Sequence, residues 1–324
     1  MFNLSRRALA AFVTVAALTP GIARAADALK EIHIDWATYN PVSMILKQKG
    51  LLEKEFAKDG IGIVWVQSAG SNKALEFLNA GSIDFGSTAG SAALVARING
   101  NPIKSIYVFS RPEWTALVTA KDSAISKVAD LKGKRVAVTR GTDPHIFLVR
   151  ALLDAGLSEK DITPVLLQHA DGKTALIRGD VAAWAGLDPM MAQAEIEDGA
   201  RLFFRNPAAN SWGILNVREP FLKDHPDAVR RVLAMYEEAR KYSLANYDDL
   251  KKTFIAVTKL PDAVADKQLK ERTDLSFSRI GAPQRESILA AGLALQQAGV
   301  IDAKVDVKAA LDALIDDQVP LPTN

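Results

Sequence analysis

Two stretches in different halves of the chain share one plan, and that repetition limits the available folds more than any other feature. GSIDFGST (Gly81 to Thr88) and RGDVAAWAG (Arg178 to Gly186) each follow a short amphipathic helix. The helices (Lys73 to Asn79; Thr174 to Arg178) run into Gly81 and Gly179, and glycine readily takes the left-handed conformation that closes a helix. A short apolar strand comes next, with Gly, Ser, Thr or Trp at its far end. One such unit per half predicts two similar lobes that present strand ends to a shared cleft.

Strand-like and helix-like runs alternate around these units. Ile32 to Ala37 and Ile61 to Gln67 read as strands on either side of a helix over Pro41 to Lys58, whose apolar residues include Ile45, Leu46, Leu51, Leu52 and Phe56. A helix at Ser91 to Ile98 and a strand at Ile103 to Phe109 continue the pattern. Such alternation predicts an α/β fold of mostly parallel sheets with helices on both faces. The pattern breaks at Arg111-Pro112-Glu113-Trp114 and resumes with a strand at Thr115 to Ala120, which places a crossing between lobes there. Strands at Val136 to Thr139, Val165 to Gln168 and Leu202 to Phe204, with helices at Pro144 to Ala155 and Pro189 to Glu197, fill the second lobe. A strand at Trp212 to Val217 brings the chain back, and nearly everything after Pro220 is helical. The expected domains are residues 26–113 plus 219–324 for a discontinuous first lobe and 114–218 for the second, joined by a two-strand hinge.

The first 25 residues stand apart. Arg6 and Arg7 give a positive start, and Ala8 to Leu18 is an apolar stretch about half the ~20 residues a membrane span needs. Pro20 and Gly21 break it, and Ala23-Arg24-Ala25 offers a small-x-small cleavage site, so a secretory signal cut after Ala25 and a periplasmic destination are expected. The chain has no cysteine, which excludes a disulfide framework, a thiol nucleophile, a thiolate metal site and a lipoprotein anchor. Removing the signal takes three arginines and no acid, turning 40 basic and 38 acidic residues into 37 and 38. That balance argues against nucleic acid or an anionic membrane as partner. A monomer without membrane insertion is expected.

Four loops lie at the carboxyl end of a predicted strand and open a helix, where open parallel sheets put their ligands. They are Thr38-Tyr39-Asn40-Pro41, Ser68-Ala69-Gly70-Ser71-Asn72, Ser87-Thr88-Ala89-Gly90-Ser91 and Gly141-Thr142-Asp143-Pro144-His145. Each offers hydroxyls, amides or free backbone N–H groups at the positive end of a helix, which suits a carboxylate, phosphate or sulfonate; each alone also reads as an ordinary helix cap. Tyr39, Asn40, Ser71, Ser87 and Thr88 are the first-lobe candidates, and Trp36, Tyr39 and Trp114 can supply ring surface.

Together, GSIDFGST (81 to 88), KVADLKGKRVAV (127 to 138), GTDPHIFLVRALLDAGL (141 to 157) and GDVAAWAGLDP (179 to 189) resemble the solute-binding proteins of ABC transporters of the aliphatic sulfonate, taurine and nitrate type. The resemblance implies a two-lobed periplasmic-binding-protein fold of type II, a small organic anion in its cleft, and an inner-membrane permease with its ATPase as partners. An aliphatic sulfonate is the leading ligand, with taurine, nitrate or a related anion or zwitterion as alternatives. It implies that Thr88 and its neighbours donate to the anion from lobe one, Thr142 and His145 from lobe two, that Trp184 packs on the apolar part, and that Asp188 sits at the rim. Core or capping roles for His145, Trp184 and Asp188 stay open. The chain departs from the pattern at Asp143-Pro144, where serines are usual, and at Met190, where an aromatic is common. Asp143 could cap its helix and face away, or answer a cationic group on an aminosulfonate.

An enzyme on this fold is the rival. The enzymes that the resemblance brings in, a pyrimidine synthase and a tetrapyrrole-forming deaminase, call for cysteines this chain lacks. There is no HExxH pair, Walker A loop or GxSxG elbow, and His33, His145, His169 and His225 show no metal-ligand spacing. Asp316-Asp317 reads as a solvated face. No catalytic residue, metal or cofactor is therefore expected, while a ligand sensor of the same fold would look identical in sequence.

Overall fold

A computed structural model describes residues 29–320; the expected signal segment, 1–25, lies outside the described residues. The chain lays down β1 (Glu31–Trp36), β2 (Gly62–Gln67), β3 (Phe85–Ala89) and β4 (Ile103–Pro112), and then crosses to a second sheet. There it forms β5 (Leu117–Thr119), β6 (Arg135–Val138), β7 (Thr163–Leu166), β8 (Ala183–Ala185) and β9 (Arg201–Phe204). It returns as β10 (Gly213–Arg218) and β11 (Thr273–Asp274). The sheet orders are β11-β4-β10-β3-β1-β2 and β7-β6-β8-β5-β9.

Both sheets are mixed, with one internal strand reversed. β10 pairs antiparallel with β3 and β4, and β5 pairs antiparallel with β8 and β9, while β1–β2, β1–β3, β6–β7 and β6–β8 are parallel. The reversed strands are the ones that receive the chain as it changes lobe. Because β10 lies between β3 and β4, Gly213–Arg218 belongs to the first sheet, which corrects the return boundary expected at residue 218.

Local chemistry explains the elements. Gly81 and Gly179 close their helices at φ 72° and 78°, the left-handed region that costs glycine little. The single helix expected over Pro41 to Lys58 is broken by Gly50 at φ 59°, leaving the helices Pro41–Gln48 and Leu51–Phe56. β8 alternates across its sheet: Ala183 and Ala185 face Phe147, Leu148 and Leu152 of the helix Asp143–Asp154, while Trp184 faces Leu176 and Met191 on the other side. The first lobe's core joins Ile34 and Phe85 to Val232, Leu233 and Tyr236 of the helix Pro226–Ala245 and to Ile288 and Leu295 of the helix Ala282–Gln297. The late helices therefore pack on the first lobe.

The two connections run side by side and are bonded to each other. Thr115 N–H donates to Asn210 Oδ1 at 2.9 Å, and Asn210 Nδ2 returns to Thr115 O at 3.3 Å. Arg205 grips Glu113 with two bonds of 2.7 Å.

Candidate functional site

The lobes meet around a small cavity lined by Tyr39 and Ser71 from the first, Thr142, Asp143, Pro144 and Leu187 from the second, and Trp114 from the connection. Its volume is about 10 Å³, roughly room for one water. The Asp143 carboxylate, part of its wall, is fully engaged. Ser91 Oγ donates to Asp143 Oδ1 at 2.6 Å; Trp114 Nε1 and the Ser211 N–H donate to Oδ2 at 2.7 and 2.9 Å. Ser91 stands in the first turn of the helix Gly90–Ile98, and its own N–H donates to Ser211 Oγ at 2.9 Å. Donors from the first lobe and from both connections thus surround one anionic group presented by the second lobe. Burial pushes the Asp143 carboxyl above the ordinary range, against the pull of the Ser91, Trp114 and Ser211 donors. No lysine or arginine lines the cavity.

The structure brings some of the candidates to this cavity and not others. Tyr39, Ser71, Trp114 and Thr142 line it. Tyr39 directs its hydroxyl to Ser87 O at 3.0 Å and sets its ring edge-on to Trp114, centroids 6.0 Å apart. Ser71 Oγ accepts from Ala89 N at 3.0 Å, and Thr142 Oγ1 donates to Thr139 O at 2.6 Å, so both hydroxyls also hold their own loops.

The remaining first-lobe candidates are used internally. Ser87 donates through N–H and Oγ to Asp35 Oδ1 at 2.8 and 2.6 Å, and Asn40 Nδ2 donates to Ser87 Oγ at 3.0 Å. Asn40 Oδ1 caps its helix through Ser43 N at 3.1 Å. Thr88 Oγ1 accepts from Asn216 Nδ2 at 2.8 Å and donates to Ala89 O at 3.0 Å. The expected donor loop at Ser87 and Thr88 is instead a buried brace for β3, because polar groups inside the lobe have to pair with one another. Asp35, which anchors it, is raised by burial to about 7.

Three second-lobe candidates also lie away from the cavity. His145 puts Nε2 3.1 Å from Glu159 Oε1, an ion-pair position on the flank of the lobe, and so does not donate into the cavity. Trp184 is a core residue packed against Ala137, Leu176 and Met191. Asp188 is not at an open rim. Its Oδ1 accepts from Ala192 N at 2.8 Å and from Arg272 Nη1 at 3.2 Å, and Arg272 also binds Glu195, so this buried pair ties the second lobe to the first. Burial raises Asp188 to about 6, with the Arg272 charge opposing the rise.

Sequence reasoning left Ser91, Ser211 and Leu187 out of the site. Ser91 ends one of the quoted loops and was legible there; Ser211 carries no local signal, since only the return crossing brings it to Asp143. Of the two orientations open to Asp143, facing away is not the one adopted. Among the described residues no group of three or more His, Asp or Glu side chains is placed to hold a metal ion, and no helix is long and apolar enough to cross a membrane.

Two α/β lobes joined by a double connection, with one reversed internal strand in each sheet and a buried polar cleft between them, define the periplasmic-binding-protein fold. Its known structures include the alkanesulfonate-binding protein from Xanthomonas axonopodis pv. citri bound to MOPS, which superposes with a TM-score of 0.79 at 28% identity, covering 86% of this chain and 97% of that one. The NMT1/THI5-like family model matches residues 49–249, and the chain belongs to that family. A protein of Escherichia coli (strain K12) named for binding aliphatic sulfonates is 32% identical over 241 residues, 74% of each chain. A more distant relative, the 4-amino-5-hydroxymethyl-2-methylpyrimidine phosphate synthase of Legionella pneumophila, is 24% identical over 181 residues, 47% of this chain and 56% of that one.

Proposed function

We propose that this chain is the periplasmic substrate-binding component of an ABC importer and that it holds a small organic anion, an aliphatic sulfonate first among them, between two closing lobes. The observation that carries this is the Ser91, Trp114 and Ser211 donor set, which surrounds a carboxylate at the lobe junction with uncharged N–H and O–H groups. A sulfonate oxygen makes the same demand as a carboxylate oxygen: directed N–H and O–H donors in a water-poor site. The cavity beside these donors is lined by both lobes, so a ligand bound there favours the closed state by its differential contacts. The relatives named for sulfonate binding support the same class of solute. A permease and its ATPase are the partners such a receptor serves.

The chain binds without making or breaking a bond. Asp35 and Asp188 are buried carboxyls that do not line the cavity, and Asp143, which does, has both oxygens engaged by neighbouring donors. Calorimetry and thermal shift across alkanesulfonates, taurine and nitrate test the proposal. Saturable binding of one of them, with a raised melting temperature and no turnover, is the expected result. Absence of binding by all of them, or conversion of any, overturns it.

A further inference from the structure

Close to the anion position, two buried acceptors face each other with nothing to accept from. His169 opens the helix His169–Arg178 in the second lobe and is 1% exposed. Its tautomer follows from its neighbour. The single hydroxyl hydrogen of Thr139 goes to Leu167 O at 2.7 Å, so the 3.1 Å contact between Thr139 Oγ1 and His169 Nδ1 is made by a proton on Nδ1. Nε2 therefore carries a lone pair, and it has no partner. Burial lowers this imidazole to about 3, so it stays neutral.

Asn72, in the first lobe, has the matching deficit: its buried Oδ1 is also without a partner. Both atoms converge over Gly70. A methyl built on that glycine would lie 2.9 Å from Asn72 Oδ1 and 3.0 Å from His169 Nε2. The absence of a side chain lets both acceptors approach the Gly70 backbone this closely. This position adjoins the cavity, because Ser71, between Gly70 and Asn72, lines it, as does Thr142 next to Gly141, which packs against Asn72. Two acceptors cannot satisfy each other, and buried acceptors without donors are rare enough to require an explanation.

We infer that His169 and Asn72 form an acceptor subsite, one residue from each lobe, that takes an amine, ammonium or hydroxyl group on the solute whose anionic head enters the cavity beside Asp143. This rests on the anion-receptor reading and narrows it to solutes with a donor close to the anionic head. The pair comes together only where the lobes meet, so the donor is read in the closed state. Solutes lacking it leave both acceptors unpaired, and discrimination of this kind is steep.

The test uses probes that differ only in the donor, taurine and ethanesulfonate, titrated calorimetrically into the full mature protein. Wild type should prefer taurine by about tenfold or more, the worth of roughly one buried hydrogen bond. His169→Phe keeps a planar aromatic ring and removes the lone pair; Asn72→Ala removes the other acceptor from a half-buried position. Each should bring the preference to within about twofold while ethanesulfonate affinity stays within about threefold of wild type. An unchanged preference in both variants means that the gap holds only water and overturns the inference, as does an equal loss for both sulfonates. Melting curves identify a variant that fails to fold, and the other variant then decides. If wild type binds neither sulfonate, the sulfonate assignment falls. The same variants titrated with β-alanine against propionate then decide the subsite, and no donor preference in that pair overturns it as well.

Discussion

Asp143→Asn should tighten the binding of simple anions, and the geometry sets the size of the effect. Asp143 lines the cavity, so an anionic head placed there lies roughly 4–6 Å from its carboxylate. At an effective dielectric of about 20, two unit charges at that separation repel by ~3–4 kcal/mol, a factor of several hundred in affinity. The wild-type protein can avoid this in two ways, and both have a cost. Swinging the carboxylate out breaks its bonds from Ser91, Trp114 and Ser211, each worth ~1.5–3 kcal/mol when one partner is charged. Protonating it requires a proton from solution. Asparagine retains the packing: its carbonyl accepts from Trp114 and Ser211, and its amide donates to Ser91 Oγ, whose hydroxyl can rotate to accept. Calorimetry with ethanesulfonate at pH 8 and fixed ionic strength should show binding tighter by ~100-fold or more. The pH profile provides a second readout. An anion bound beside Asp143 favours its protonated form, so binding takes up a proton, and affinity falls as pH rises above a carboxyl range that burial has already lifted. The slope approaches about tenfold per pH unit in wild type and vanishes in the variant. Ethanesulfonate affinity in Asp143→Asn that is weaker than wild type, or within threefold of it, would refute the reasoning.

Other expectations concern stability. Asp35 is raised by burial to about 7, so between the ordinary carboxylate range and that value the folded state holds a proton the unfolded chain has released. Stability attributable to this group therefore falls as pH rises through that window and levels above it; Asp35→Asn should flatten the profile of melting temperature against pH. Arg272→Met leaves Asp188 and Glu195 without their shared cation and should cost about 3–5 kcal/mol in denaturant unfolding, with Asp188→Asn in the same chain recovering much of it. A full loss in the double variant would assign the effect to packing instead. Gly213→Ala would set a methyl 2.4 Å from Phe109 Cε2 and 2.5 Å from Ser110 Oγ in the middle of the first sheet, and a loss of ~1–3 kcal/mol is expected from urea melts.

Local regularities were readable in the sequence, and long-range pairing was not. Gly81 and Gly179 announce helix ends because a left-handed residue is needed there whatever lies beyond. The alternation of strands and helices follows in the same way from periodicity, and two lobes follow from its repetition. The fate of Ser87 and Thr88 depends on Asp35 and Asn216, which are remote in sequence, so a hydroxyl-rich strand end looks the same whether its donors face a ligand or a buried brace. His145 shows the same limit, since its partner Glu159 lies beyond the end of its helix. Asp143 was legible as a departure, but its role required Ser211 to return beside it. The boundary at residue 218 failed because a reversed central strand and a parallel one have the same apolar pattern; only its neighbours reveal which sheet it joins.

The cross-bonding of the two connections has a mechanical consequence. Thr115 and Asn210 are latched through one amide, and Glu113 and Arg205 through a two-pronged grip, so the connections act as a single flat strap rather than two separate strings. A flat strap bends readily out of its own plane and resists bending within it. The lobes then share one swing direction instead of free rotation, and whatever free energy a solute supplies at the cleft goes into that swing.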